Sequence, residues 1–310
     1  ENFAKNAFKI VVDIDKNELY KPTIDVDLRI NADLKNFIPK MLEKLNDDNF
    51  KINYSAKWLK FAQNLKNKYC FDKTNEYRQN ENEPLNPYYF IRQLTNELDE
   101  NDIVIMANGS ACVCTYQVAN VKKGQRYILN SGNASMGYDL PCAIGVAVKT
   151  LETKENKKRR IVCIAGDGSI MMNLQELETI KYNNLPIKLF VLNNSGYSSI
   201  RQTQRNFFKG HMTGSGNDSG VSVPEFYNIA KGFNLNATKI DEAKNLNAQI
   251  KEVLEIDGFV LCEAMLQQEY SFSPKLSSKK LDDGTMVSPS LEDMFPFISR
   301  EEYQENIFKI

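Results

Sequence analysis

The stretch Ile164–Met172 reads IAGDGSIMM. An apolar run stops at Gly166-Asp167-Gly168-Ser169, and apolar residues resume at once. A carboxylate between two glycines is an unusual end for a buried strand. A tight turn would account for it, and so would a site that needs bare backbone beside one carboxylate. Outward from this stretch, IVCIAG (161–166) reads as a strand and MMNLQELETIKYN (171–183) as a helix. NLP (184–186) is a turn, and IKLFVLNN (187–194) is a second apolar strand ending in two amides. Further out lie a helix over NPYYFIRQLTNEL (86–98), a strand over DIVIMA (102–107), and a helix packed closely on its neighbours after Pro141. A helix near PEFYNIAKGF (224–233), the segment NATKI (236–240) and the strand GFVLCEAML (258–266) continue the alternation. This pattern predicts an α/β fold: a doubly wound, mostly parallel sheet with helices on both faces.

The rest of the chain divides around that core. Residues 1–46 form a small α/β piece, with the strand AFKIVVDID (7–15) expected to be buried. The amphipathic stretch NADLKNFIPKMLEKL (31–45) follows, with Asn31 as its expected cap. Residues 47–85 hold the helix NYSAKWLKFAQNLKNKY (53–69) and the polar linker DKTNEYRQNENEP (72–84). Residues 86–270 form the main domain, and 271–310 read as an irregular tail. ENKKRR (155–160) reads as a charged surface turn. DIDKNE (13–18) alternates acidic residues as calcium loops do, but Glu18 replaces the required glycine and Ile24 the final glutamate. The chain opens on Glu1 and enters a strand almost at once, so it reads as one cut inside a domain.

Composition narrows the function classes. The chain has 310 residues, 39 basic and 40 acidic, for a formal charge of -1. That balance gives no nucleic-acid footprint and no attraction to an anionic membrane. No apolar run approaches the roughly 18 residues of a membrane span, and no signal peptide is visible. Six cysteines occur without a CxxC pair, so they read as free thiols of a reducing, cytoplasmic compartment. Cys112 and Cys114 alternate and would share one side of a strand. The single histidine, His211, argues against a zinc site or a Ser-His-Asp triad. It lies in RNFFKGHMTGSGNDSG (205–220), a loop of the kind that closes over sites.

In open parallel sheets, ligands bind beyond the carboxyl ends of strands. Asp167 stands after one strand, Asn193-Asn194 after the next, with a single crossover between them. Neighbouring strands lie about 4.8 Å apart. Magnesium holds oxygen at about 2.1 Å, so opposite ligands sit roughly 4.2 Å apart. A carboxylate and an amide on adjacent strand ends therefore fit one Mg²⁺. The glycines would let the backbone turn and approach a ligand, and Ser169 and Ile170 would lead into a helix whose first N–H groups favour phosphate.

GDGS, a helix, and NN at a strand end resemble the diphosphate-binding motif of thiamine diphosphate-dependent enzymes. SGNASMGYDLPCAIGVAV (131–148) is similar to that family's preceding segment, and residues 171–194 to its acetolactate synthase branch. FKIVVDIDKNELYKP (8–22) resembles the end of that branch's central domain. The resemblance covers most of residues 8–265. It implies thiamine diphosphate and Mg²⁺, and leaves FAD open. It places Asp167, Asn194 and the carbonyl of Gly196 on the metal. Asn108, Gly109, Ser110, Gly166, Gly168 and Ser169 would approach the diphosphate. Met136 would support the bent cofactor, while Tyr197, Ser198 and Ile200 would line the pocket.

The implied activity is decarboxylation of pyruvate or another 2-keto acid, with transfer of the acyl-anion equivalent to an acceptor carbonyl. The catalytic glutamate belongs to the family's N-terminal domain, so the resemblance places no catalytic residue in this chain and predicts an inactive fragment of a homodimer or homotetramer. Two departures bear on this. Cys112 and Val113 stand where relatives often carry Gln-His, and the region of Thr203 lacks the tryptophan that helps select the acceptor. GYSSIRQTQ (196–204) resembles proteins of surface-carbohydrate pathways, which adds a keto sugar nucleotide to the candidate acceptors. Acetolactate synthesis and simple decarboxylation are the competing reactions, and a non-catalytic cofactor-binding module is the alternative of another class. A nucleotide-dependent dehydrogenase is weakened by the lack of GxGxxG after any strand.

Overall fold

The computed structural model describes residues 3–4, 7–47, 49–51, 55–80, 83–153, 159–281 and 283–307. Most of the expected charged turn at 155–160, the first two residues of the stretch at 53–69, and linker residues 81 and 82 lie outside the described residues. The chain forms two compact units, one of residues 1–70 with 273–310, the other of residues 71–272.

In the first unit, β1 (Ile10–Asp13) pairs in parallel with β2 (Leu28–Asn31), with α1 (Lys16–Leu19) between them. The alternating acids serve the turn. Asp13 accepts the N–H of Asp15, and Asp15 caps α1 by accepting from Asn17, both at 2.8 Å. The strand expected to be buried is not: Ile10 is 55 % exposed, and Val11, Val12 and Asp13 are only half-buried. α2 (Leu34–Leu45) is capped by Asp33, not Asn31: Asp33 accepts from the Lys35 N–H at 2.8 Å. Asn31 instead ends β2 and donates to the Asp13 carbonyl. The amphipathic stretch forms α3 (Ala56–Lys68), which starts at a Ser55 cap.

The second unit carries the sheet. In chain order its elements are α4 (Pro87–Glu97), β3 (Ile103–Met106), α5 (Gly109–Val118), β4 (Arg126–Ile128), α6 (Asp139–Glu152), β5 (Ile161–Gly166), α7 (Asp167–Ile170) and α8 (Glu176–Tyr182). There follow β6 (Ile187–Asn193), α9 (Ser198–Phe207), α10 (Phe226–Gly232), β7 (Ala237–Ile240), α11 (Leu246–Glu255) and β8 (Val260–Met265). The six strands run parallel in the order β4-β3-β5-β6-β8-β7. Successive strand residues face opposite sides. Val104, Ile164, Phe190 and Cys262 pack with α4, α5 and α11, whereas Ile105, Cys163, Leu189 and Leu261 pack with α6, α8 and α10. The doubly wound α/β fold is therefore as the sequence predicts. Every residue of β3 and β6 is buried, which is why these strands read as continuous apolar runs.

Two local expectations need correction, and two elements are not legible in the pattern. The helix expected over 171–183 is broken. A single turn, α7, already begins at Asp167, and α8 starts only at Glu176. GYSSIRQTQ, unassigned by its pattern, forms most of α9. β4, three residues long and only half-buried, likewise has no legible pattern. Cys112 and Cys114 lie on α5, not a strand; Cys114 is buried in the core and Cys112 is half-buried, so the shared strand face does not arise.

Residues 273–307 return to the first unit. β9 (Lys279–Lys280) pairs antiparallel with β10 (Met286–Val287), and α12 (Arg300–Glu305) starts at a Ser299 cap. Glu302 accepts from Tyr69 at 2.8 Å and meets Lys68 at 2.9 Å, so the tail is held to α3. No described helix is long and apolar enough to cross a membrane.

Phe190, fully buried in β6, meets Phe90 of α4 edge-on at 6.1 Å between ring centroids. Phe190→Ala removes this ring from the centre of the sheet. It is expected to lower unfolding free energy by about 3–5 kcal/mol, measured by urea denaturation.

Candidate metal–diphosphate site

β5 ends at Gly166, and Asp167 opens the next helical turn at 2 % exposure. One carboxylate oxygen, Oδ1, accepts from the Gly168 N–H at 2.7 Å. The other, Oδ2, accepts from the Asn194 N–H at 3.0 Å and the Gly196 N–H at 2.9 Å. Asn194 and Gly196 follow β6, and Gly166 stands opposite Leu192 in the β5–β6 register. The adjacent strand ends expected from the sequence are thus joined by this one side chain. Burial is the main influence on its pKa, raising it to about 6 although three backbone N–H groups and nearby Arg201 pull it down. A cation here would offset that lost solvation.

The loop after β6 is built for this geometry. Ser195 has φ 61° and Gly196 φ 127°. A Cβ on Gly196 would lie 2.6 Å from the Ser215 carbonyl oxygen, so both conformation and space require glycine. Arg201 of α9, 6 % exposed, holds the loop from within. Its guanidinium donates to the carbonyls of Asn194 and Ser215 at 2.9 Å, of Gln268 at 3.0 Å, and of Ser195 at 3.3 Å. The sequence offered only an arginine in a polar stretch; its helix was not legible, and its role was missed.

A group of hydroxyls stands beside the carboxylate. Ser110 in the first turn of α5 and Ser198 at the start of α9 bring their oxygens to 3.0 Å. The Tyr270 hydroxyl lies 2.9 Å from Ser198, contacts Ser110, and accepts from the Asn194 amide at 3.2 Å. Burial raises the Tyr270 pKa, so the phenol keeps its proton. Tyr270 was also missed, because it follows the last apolar strand with no pattern of its own. Gly109, at φ 57°, turns the chain into α5, and Asn108 donates to the Ala134 carbonyl at 3.1 Å.

Ser169 binds the neighbouring loop. Its hydroxyl donates to the buried Asp139 carboxylate and accepts from the Gly137 N–H at 2.9 Å, while Asn173 holds the Gly137 carbonyl at 2.6 Å. Next to Gly137, Met136 is partly exposed. The glycines of GDG act otherwise than turn geometry suggested, for neither has a positive φ. A Cβ on Gly168 would come 2.3 Å from the Tyr197 ring, whereas one on Gly166 would meet nothing within 4 Å. Gly168 makes room for Tyr197, and Gly166 leaves bare backbone beside open space. Tyr197 is half-buried, Ile200 is exposed on the first turn of α9, and His211 is exposed in the loop after it.

These groups fit a metal diphosphate. Three of the roughly four lone-pair sites of the Asp167 carboxylate are occupied by backbone donors, leaving one for a cation. Asn194 Oδ1 receives only a long 3.4 Å approach from Arg201. The donors are hard oxygens, which suits Mg²⁺. Among the described residues no group of three His, Cys, Asp or Glu side chains could hold a metal, so ligand oxygens would have to complete the shell. Two serine hydroxyls and the starts of two ten-residue helices face anionic oxygens favourably.

Residues 107–264 match the family described as thiamine pyrophosphate enzyme, C-terminal TPP binding domain. The chain belongs to this family. It is 34 % identical over 202 residues to acetolactate synthase 2, chloroplastic, of Zea mays, covering 64 % of the chain and 31 % of that relative. It is 31 % identical over 284 residues to acetolactate synthase 1, chloroplastic, of the same plant, covering 90 % and 42 %. It is 26 % identical over 277 residues to acetolactate synthase isozyme 1 large subunit of Escherichia coli (strain K12), covering 88 % and 45 %. The chain thus spans less than half the length of these curated relatives.

Gly168→Ala is expected to displace the Tyr197 ring and cost about 1–3 kcal/mol, with much of the loss recovered in a double variant with Tyr197→Ala. Denaturation of the four proteins of this cycle measures it. Because burial raises the Asp167 pKa, that carboxyl's contribution to stability is complete below 3.8 and is lost as pH rises through about 6. Relative to Asp167→Asn, the protein should therefore lose on the order of 1 kcal/mol between pH 5 and pH 7. Urea denaturation of both proteins at each pH provides the comparison.

Proposed function

We propose that residues 86–270 form the diphosphate- and Mg²⁺-binding part of a thiamine diphosphate-dependent enzyme of acetolactate synthase type. Its reaction joins the acyl-anion equivalent of pyruvate, or of another 2-keto acid, to an acceptor carbonyl. The observation that carries this reading is the Asp167 carboxylate binding the N–H groups of Asn194 and Gly196 across neighbouring strand ends. Membership of the family and the similarity to acetolactate synthases over 90 % of the chain support it.

In this reading Asp167, the Asn194 amide oxygen and the Gly196 carbonyl hold the metal. Ser110, Ser198 and the backbone at Asn108, Gly109, Gly166, Gly168 and Ser169 receive the diphosphate. Met136 supports the cofactor from below, and Tyr197 and Ile200 line the pocket. When bound, thiamine diphosphate supplies the electron sink for the bond broken on decarboxylation. The chain's own residues orient that group and exclude water; none of them is assigned a proton transfer. A family glutamate outside these 310 residues would supply it, in a homodimer or homotetramer of the cytoplasm. Residues 1–46 would close a central domain, with 47–85 as connector and 271–310 as tail. The departure at Thr203 and the polar α9 favour an acceptor other than a second small keto acid, and a keto sugar nucleotide is the acceptor class proposed.

Calorimetry of thiamine diphosphate, with and without Mg²⁺, tests the cofactor assignment. Binding should require the metal and should weaken at least tenfold in Asp167→Ala. Equal affinity in that variant would remove Asp167 from the metal. The 310-residue chain should bind without consuming pyruvate, and pyruvate turnover by it would refute the assignment of proton transfer elsewhere. Mass spectrometry of full-length protein incubated with pyruvate and keto sugar nucleotides identifies the acceptor; acetolactate as sole product would exclude the sugar.

A further inference from the structure

We infer that Glu263, acting through Asn193, positions the loop that holds Asp167; the inference rests on the reading of that loop as a metal site. Glu263 lies on β8, beside β6, and is 1 % exposed. Burying a carboxylate is costly unless its oxygens are bonded. Here both are. Oε1 accepts from the Asn193 amide Nδ2 at 2.6 Å, and Oε2 accepts from the Tyr227 N–H, in the first turn of α10, at 2.9 Å.

The consequence runs through Asn193, whose side chain is 5 % exposed. A carboxylate only accepts, so Glu263 obliges Asn193 to present its amide nitrogen to it. The Asn193 oxygen then faces the other way and accepts from the Ser195 N–H at 3.0 Å. Ser195 lies between the two residues whose N–H groups hold Asp167. Three consecutive N–H groups therefore take two directions: those of Asn194 and Gly196 towards Asp167, that of Ser195 towards Asn193. The positive φ of Ser195 and Gly196 accompanies this alternation. Glu263 sets the polarity of the arrangement from the far side of β6, and the metal loop inherits it. Neither Glu263 nor Asn193 touches the metal site itself; both are positioning residues.

Exchanging the two polar groups tests this. In Glu263→Gln, the fixed Tyr227 N–H claims the new carbonyl oxygen, and the new amide meets the Asn193 amide, donor against donor. In Asn193→Asp, two carboxylates meet. In the double variant the amide at 263 donates to the carboxylate at 193, whose second oxygen accepts from Ser195, so the hydrogen-bond pattern returns. Affinity for Mn²⁺ in the presence of inorganic diphosphate, read by electron paramagnetic resonance on the 310-residue chain, is the measurement. Each single variant should weaken Mn²⁺ by about 10–100-fold, and the double variant should return to within about threefold of the parent. Parent-like affinity in the single variants overturns the inference. So does a double variant whose thermal melting recovers while its Mn²⁺ affinity does not, since that marks a purely structural role. If Glu263→Gln fails to fold, Asn193→Asp and the double variant make the same comparison. Absence of diphosphate-dependent Mn²⁺ binding by the parent refutes the metal reading and this inference together, whereas parent binding with unaffected variants refutes this inference alone.

Discussion

The site is organised around one buried carboxylate. Asp167 leaves β5 and accepts two backbone N–H groups from the loop after β6. Other features serve that contact. β5 and β6 must be neighbours, and they pair in parallel along their length. The receiving loop must turn through left-handed conformations at Ser195 and Gly196, where the close Ser215 carbonyl admits no side chain. Arg201 ties down the carbonyls of the same loop, so that its N–H groups stay aimed at the carboxylate. Carboxylate, arginine and backbone form one unit, in which a change at any member alters the solvation of Asp167.

That unit is joined to a set of hydroxyls by Asn194, whose amide reaches Tyr270, which in turn meets Ser110 and Ser198. The serines stand in the first turns of two helices that begin near the sheet's carboxyl edge. An oxyanion there would meet hydroxyl donors and helix N–H groups, while a hard cation would meet carboxylate, amide and carbonyl oxygens. Thiamine pyrophosphate, the ligand named for the family to which residues 107–264 belong, carries such oxyanions.

The parts of the fold legible in the sequence are those where burial repeats regularly. β3, β5, β6 and β8 are nearly or wholly buried, so their apolar runs stand out, and α4 announces itself with an Asn86 cap and Pro87. α9 escaped notice because it is mostly polar and anchored by Arg201, a charged residue buried through hydrogen bonds to carbonyls. The spacing over Met171–Asn183 predicts one continuous helix because it survives the break between α7 and α8. Asn31 looked like a cap, yet Asp33 is the residue whose carboxylate meets a free helix N–H. Cys112 and Cys114 suggested a strand by alternation, which two residues inside a short helix can imitate.

By itself the sequence determined the fold class, the strand ends that meet, and the oxygen-bearing side chains of Asp167 and Asn194 placed there. Those follow from hydrophobic period and residue chemistry, which are local properties. Only the tertiary structure decided how the donors are aimed. It set the glycine at 168 against the Tyr197 ring, brought Ser110, Ser198 and Tyr270 together from distant parts of the chain, and seated Glu263 behind Asn193. Hydrogen bonds of this kind join residues 70 or more positions apart. Their partners are chosen by which strands and helices lie side by side, and no spacing along the chain records that.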